Sequence, residues 1–264
     1  MQQAIEPPST RKRPIPIAHL LLEAKRAAID ICAFQAVYFD VYYPPAAARD
    51  VKDECSIVKC TPTLVFFSGG GFLRGSRSSL PLNLAHNNLG AFFAAKGILT
   101  IIPDYRLVPS ITFPQGSVDV RDAFQWVVKN SQRIEANSNH LYVLAHSAGG
   151  IHVSGCLLTP SLFEPVAKYL RGITFLGVPI TISHHIAQFP PILNLRAACE
   201  PRLIRKSIYM FTQTLVKKGV QVEELVLAGH DHMSPIMALS SGYGGEWGDN
   251  VAEWILGARY LNLS

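Results

Sequence analysis

The run Ala145-His146-Ser147-Ala148-Gly149 places a serine two residues from a small neighbour on either side. It follows the apolar stretch Leu141-Tyr142-Val143-Leu144 and precedes a helix-like stretch from Ile151 to Leu158. This pattern, close to Gly-x-Ser-x-Gly with Ala145 in the first glycine position, suits a sharp strand-to-helix turn that holds a serine hydroxyl above a sheet. Such a hydroxyl becomes a nucleophile when a base lies within hydrogen-bond reach. The helix after it turns its positive N-terminal end toward the same spot. Ser68-Gly69-Gly70-Gly71-Phe72 closes another apolar run and leaves backbone amides free. The N–H groups of Gly70 and Gly71, with that of Ala148, are candidates to hold the oxyanion of an acyl-transfer intermediate. No Gly-Lys-Ser/Thr follows these glycines, which argues against a phosphate cradle. Gly229-His230-Asp231-His232 closes a third run and offers two imidazoles as base. The His-x-His spacing also suits a metal pair, although no further ligand cluster accompanies it.

These groups lie far apart in the chain, so a scaffold must gather them. The 264 residues are 48% apolar and only 16% charged, enough for a sizeable core and incompatible with a disordered chain. No apolar run approaches the roughly 18 to 20 residues that cross a bilayer, and residues 1–16 lack a secretory pattern. We therefore expect a cytoplasmic protein with no membrane partner and a flexible segment over residues 1–16. The net charge of +5 is scattered, and neither zinc-finger spacing nor an aromatic-basic motif points to nucleic acid. Five cysteines without a Cys-x-x-Cys pair read as reduced thiols rather than a disulfide framework. Nothing demands a metal or an organic cofactor.

Short apolar runs alternate with helical patterns along the chain. Ile17–Phe34 has an amphipathic helical pattern, and residues 17–36 are a candidate small N-terminal cap. Strands are expected at Val37–Tyr43, Thr63–Phe67, Ile98–Pro103, Leu141–Leu144, Ile173–Val178, Ile192–Leu195 and Glu224–Leu227. Helices are expected at Leu80–Lys96, Val118–Lys129 and Gly248–Leu261. This alternation predicts one α/β domain over residues 17–264, built on a mostly parallel sheet with helices on both faces. Ligands of such sheets gather at the carboxyl ends of the strands. The serine, the glycine triplet and the two histidines each follow a strand candidate.

With the glycine triplet, the stretch Asp104-Tyr105-Arg106-Leu107-Val108-Pro109, Phe113-Pro114, Asp119, Asp122 and Trp126 resembles the esterase/lipase group of the α/β-hydrolase fold. That group includes hormone-sensitive-lipase-like carboxylesterases and kynurenine-formamidase-like enzymes. The similarity runs from about Phe39 to the C-terminus, with Ser68 standing where the group carries His before its glycines. The connection from Pro179 to Pro190, where this fold often inserts a lid, is short, so little or no lid insertion is expected, and the resemblance implies the chain order serine, acid, histidine. It also implies a Gly-x-x-His ending that selects His232 over His230. Between Ser147 and His232 there are five carboxylates: Glu164, Glu200, Glu223, Glu224 and Asp231. Glu164 precedes the next strand, Glu223 and Glu224 open the last one, and Asp231 adjoins the histidine itself. Glu200, after Ile192–Leu195 and before Pro201, is left as the acid.

The implied activity is hydrolysis of a carboxylic ester, or a related acyl bond of a small molecule, through an acyl-enzyme on Ser147. Phe72 and His146 are candidate pocket residues. Two other readings share the fold. The Gly-His-Asp-His-Met-Ser-Pro and Leu-Ser-Ser-Gly-Tyr-Gly stretches resemble fungal members, which implies release, cyclisation or condensation of a polyketide-type biosynthetic intermediate. A catalytically silent binding protein is the other.

Overall fold

The computed structural model describes residues 26–31, 37–45, 61–77, 82–180, 189–239, 241 and 243–257. Eight strands form one sheet: β1 (Arg26–Ile31), β2 (Val37–Tyr42), β3 (Thr63–Phe67), β4 (Leu99–Pro103), β5 (Leu141–His146), β6 (Leu170–Leu176), β7 (Ile192–Ala197) and β8 (Val222–Leu227). Their spatial order is β1-β2-β4-β3-β5-β6-β7-β8. The strands from β4 through β8 in that order run parallel, whereas β2 is antiparallel to β4 and β1 antiparallel to β2.

The apolar runs are continuous because both faces of the sheet are covered. In β3, Val65 and Phe67 pack into one core with Val120, Phe124, Val153 and Phe211. The intervening Leu64 and Phe66 pack into the other, with Leu89, Phe93, Ile236 and Trp247. Helices α2 (Gln115–Lys129), α3 (Ser147–Leu158), α4 (Pro160–Ala167) and α5 (Arg202–Lys217) contribute to the first face. Helices α1 (Leu82–Ala95), α6 (Ser234–Ala238) and α7 (Glu246–Ile255) contribute to the second. Every strand candidate from the sequence is a strand here, with ends moved by three residues at most.

One expectation fails. Within the helical pattern Ile17–Phe34, residues Arg26–Ile31 form β1, pairing from Arg26 opposite Tyr42 to Ile31 opposite Val37. Without β1, the outer edge of β2 would present unpaired backbone N–H and C=O groups, and such pairing overrides a weak helical propensity. These six residues therefore extend the sheet at the edge remote from β8. The rest of the candidate cap at 17–36, and the segment 1–16, lie outside the described residues.

The connections of interest leave the carboxyl ends of the parallel strands. Ser68–Phe72 follows β3, Ser147 follows β5, Gly177 follows β6, Glu200 follows β7, and the loop with His230 and His232 follows β8. Arg77 anchors the segment after the glycine triplet. Its backbone N–H and Nε donate to Asp104 at 2.7 and 3.1 Å, and its Nη1 to Asp40 at 2.9 Å. Arg106 grips Asp119 through Nη2 at 2.6 Å and through its backbone N–H at 3.0 Å, fixing the loop after β4 to α2.

Candidate active site

The turn between β5 and α3 is as sharp as the small residues allow. Ser147 takes a left-handed backbone conformation, with φ 48°, a region costly for a residue with a side chain. Gly149 lies so near the end of β3 that a Cβ there would meet the carbonyl oxygens of Phe67 and Ser68, each at 2.5 Å. Ala145 is fully buried, and the methyl group is accommodated.

Three of the predicted side chains converge. His232 Nε2 lies 2.8 Å from Ser147 Oγ, and its Nδ1 lies 2.9 Å from Glu200 Oε2. Glu200 is buried, whereas the His232 side chain keeps about a fifth of its surface exposed (21%). The second carboxylate oxygen, Oε1, is buried and has no hydrogen-bond partner among the described residues. It faces Gly177, whose φ of +61° suits glycine, and a Cβ there would come within 2.7 Å of Oε1 and 3.0 Å of His232 Nδ1. The bare Cα at 177 thus leaves room for the acid–imidazole pair. The sequence motifs do not single out Gly177; its one signal is a glycine standing immediately after a buried strand, at the sheet's carboxyl edge.

His230 is engaged elsewhere. Its Nε2–H donates to the carbonyl of Gly244 at 2.9 Å, and its Nδ1 accepts from the Ser234 hydroxyl at 3.0 Å. Asp231 does not contact the imidazole as an acid. Its Oδ1 accepts the N–H groups of Met233 and Ser234 at 2.9 and 2.8 Å, and these bonds hold its carboxyl below the usual range. Among the described residues, no cluster of three or more His, Cys, Asp or Glu is arranged to hold a metal ion.

His146, expected to line the pocket, is instead buried beneath the histidine loop. Its Nε2–H donates to the backbone carbonyl of His232 at 2.9 Å, with the two rings 5.1 Å apart. Burial, and then the nearby His232, lower its pKa to about 4, so it is neutral near pH 7. The elbow places this side chain against the loop after β8, where it fastens that loop to β5.

The glycine-triplet loop doubles back tightly. Gly70 adopts φ +140°, and its carbonyl accepts the Arg74 N–H at 3.1 Å. A Cβ at 70 would lie 2.0 Å from the Arg74 carbonyl oxygen, so only glycine fits. Gly71 and Phe72 continue with φ of 62° and 67°. The Tyr105 hydroxyl donates to the Ser68 carbonyl at 2.7 Å, and the Phe72 carbonyl accepts the Val108 N–H at 3.0 Å. The ring of Phe72, the other candidate pocket residue, is partly exposed and stands edge-on to His152, with centroids 5.1 Å apart. Tyr105 meets the same His152 ring at 4.9 Å. Tyr105 and His152 therefore support the Ser68–Phe72 loop from behind. Ala148, the third candidate amide donor, follows the serine at the start of α3.

The sheet order and the post-strand positions of the serine, acid and histidine define the α/β-hydrolase fold. The chain's sequence is similar to the esterase/lipase group of that fold. Residues 41–159 match the BD-FAE family model. Over 90 residues the chain is 33% identical to an ethyl acetate hydrolase of Pseudomonas putida, a stretch covering 33% of this chain and 26% of that protein. Over 138 residues it is 30% identical to a probable isoprenylcysteine alpha-carbonyl methylesterase of Oryza sativa subsp. japonica, covering 50% of this chain and 27% of that one. These matches thus span about a quarter of each curated relative's length. A solved esterase of Pyrobaculum calidifontis superposes with a TM-score of 0.68 at 17% identity, covering 92% of this chain and 89% of that one.

Proposed function

We propose that the protein is a serine hydrolase that cleaves carboxylic esters of small molecules through an acyl-enzyme. The observation that carries this reading is the continuous line from Glu200 through His232 to Ser147, with links of 2.9 and 2.8 Å. An ionised Glu200 accepts the Nδ1–H of His232, which leaves the Nε2 lone pair facing the serine hydroxyl. As Ser147 Oγ attacks the ester carbonyl carbon, His232 takes the hydroxyl proton and the carbonyl oxygen becomes an oxyanion. The amides of Gly70, Gly71 and Ala148 are the donors assigned to that oxygen. Collapse of the tetrahedral species breaks the bond to the alcohol, which leaves with the proton from His232. Water, deprotonated by the same imidazole, then attacks the acyl-enzyme and regenerates Ser147. Glu200 remains ionised throughout and stabilises the imidazolium.

The names of the related esterases support ester bonds as the target. Hydrolysis of short-chain p-nitrophenyl esters tests the reading. Ser147→Ala is expected to lower kcat by about 10⁵-fold or more while the fold is retained. Full turnover by that variant would overturn the mechanism.

A further inference from the structure

A second concave site lies at the β8 end of the sheet, where α5 packs over the last two strands. Its cavity, about 400 Å³, is lined by Arg196, Arg202, Arg205, Lys206, Tyr209 and Glu224. The four α5 residues are spaced i, i+3, i+4 and i+7, so they share one helix face. Arg196 is two residues beyond Asn194 on β7, hence on the same sheet face, and the Asn194 amide reaches Thr212 of α5 at 2.8 Å. Glu224, in register opposite Asn194, accepts the Thr212 hydroxyl at 3.1 Å.

We propose that this cavity binds a small molecule carrying adjacent phosphate groups. Four cationic side chains face one carboxylate, an excess of three positive charges. Among the described residues, none of the four forms an ion pair. The sequence from Pro201 to Gln221 contains no Asp or Glu to neutralise them. Arg202 and Arg205 also occupy the first turn of α5, where no acidic residue stands and the helix end is itself positive. Cations are disfavoured at that end, so their convergence there costs stability that a bound anion recovers. Guanidinium forks match phosphate oxygens two at a time. The volume exceeds what one phosphate needs and falls in the roughly 300–1,000 Å³ range of small-molecule sites. The Tyr209 ring supplies a wall for an organic portion of the ligand. This inference is independent of the assignment of Ser147 as nucleophile.

Calorimetric titration of the full chain with pyrophosphate and with inorganic phosphate at low salt tests the proposal. Pyrophosphate is expected to bind more tightly than phosphate, with an affinity that falls as salt rises. The double variant Arg202→Glu/Arg205→Glu, at exposed positions, is expected to weaken pyrophosphate binding at least tenfold with an unchanged circular dichroism spectrum. The double variant Arg133→Glu/Lys168→Glu alters net charge equally on other elements and is expected to bind within twofold of the parent. Failure of the parent to bind pyrophosphate, or equal loss in the two double variants, would overturn the proposal. So would binding to phosphatidylserine vesicles, through Arg202 and Arg205, that pyrophosphate does not displace.

Discussion

Replacing Gly177 with alanine separates two effects that the structure places at one residue. The first is backbone strain. An alanine at φ +61° adopts the left-handed region at a cost of about 1–2 kcal/mol, which in a domain of this size lowers Tm by roughly 2–8 °C. The second is displacement. The new Cβ would lie 2.7 Å from Glu200 Oε1, where ordinary contact begins near 3.4 Å, so the carboxylate must retreat by about 0.7 Å. A misplacement of roughly 1 Å in a catalytic group costs on the order of 10²-fold in rate, so kcat should fall about 10- to 100-fold with little change in KM. Gly219→Ala is the control. Its φ of +79° imposes the same kind of strain, but no atom lies within 4 Å of the added methyl group. The measurements are kcat and KM on a p-nitrophenyl ester, with thermal melts of both variants. A Gly177→Ala variant that loses stability like Gly219→Ala yet keeps the parent kcat would refute displacement of Glu200.

Further outcomes follow from the same geometry. Glu200→Gln should lower kcat by about 10³- to 10⁴-fold, because a neutral amide neither fixes the His232 tautomer nor stabilises the imidazolium; steady-state kinetics on a folded variant checks this. His146 is expected to make folding acid-sensitive. Its folded pKa of about 4 lies below the ordinary 6.5, so between these values the unfolded chain binds more protons and stability drops as the pH is lowered. The contribution is complete above about pH 6.5. Its loss approaches about 3 kcal/mol below pH 4, measurable by urea unfolding. His146→Gln retains an N–H donor for the His232 carbonyl but does not titrate, so its pH dependence in this window should be shallower. Identical slopes would contradict the assignment.

Much of this arrangement could be read from residue types. β3, β5 and the strands beside them are buried on both faces, so they appear as short apolar runs, and the groups that follow them stand out as polar or glycine-rich breaks. Ser147 and His232 carry chemistry in their side chains and announce themselves. Glu200 emerges because so few carboxylates lie between them. Arg26–Ile31 could not be read this way: Ala27-Ala28-Ile29-Asp30-Ile31 suits a helix locally, and only the open edge of β2 makes it a strand. Gly177 contributes an absence of atoms, which no residue pattern advertises. His146 occupies the variable position of the elbow, and its contact with the His232 carbonyl spans 86 positions in sequence, a long-range pairing invisible to local reading.

Ser147 is the proposed nucleophile, and every step of the proposed reaction passes through its hydroxyl. Treatment of the protein with a fluorophosphonate, followed by peptide mass spectrometry, identifies the reactive hydroxyl. One phosphonyl adduct on Ser147 is predicted, forming in parallel with loss of esterase activity and slowed sharply in His232→Ala. An inactivated protein with the adduct on another residue, or full ester hydrolysis by a protein labelled at Ser147, would contradict this assignment.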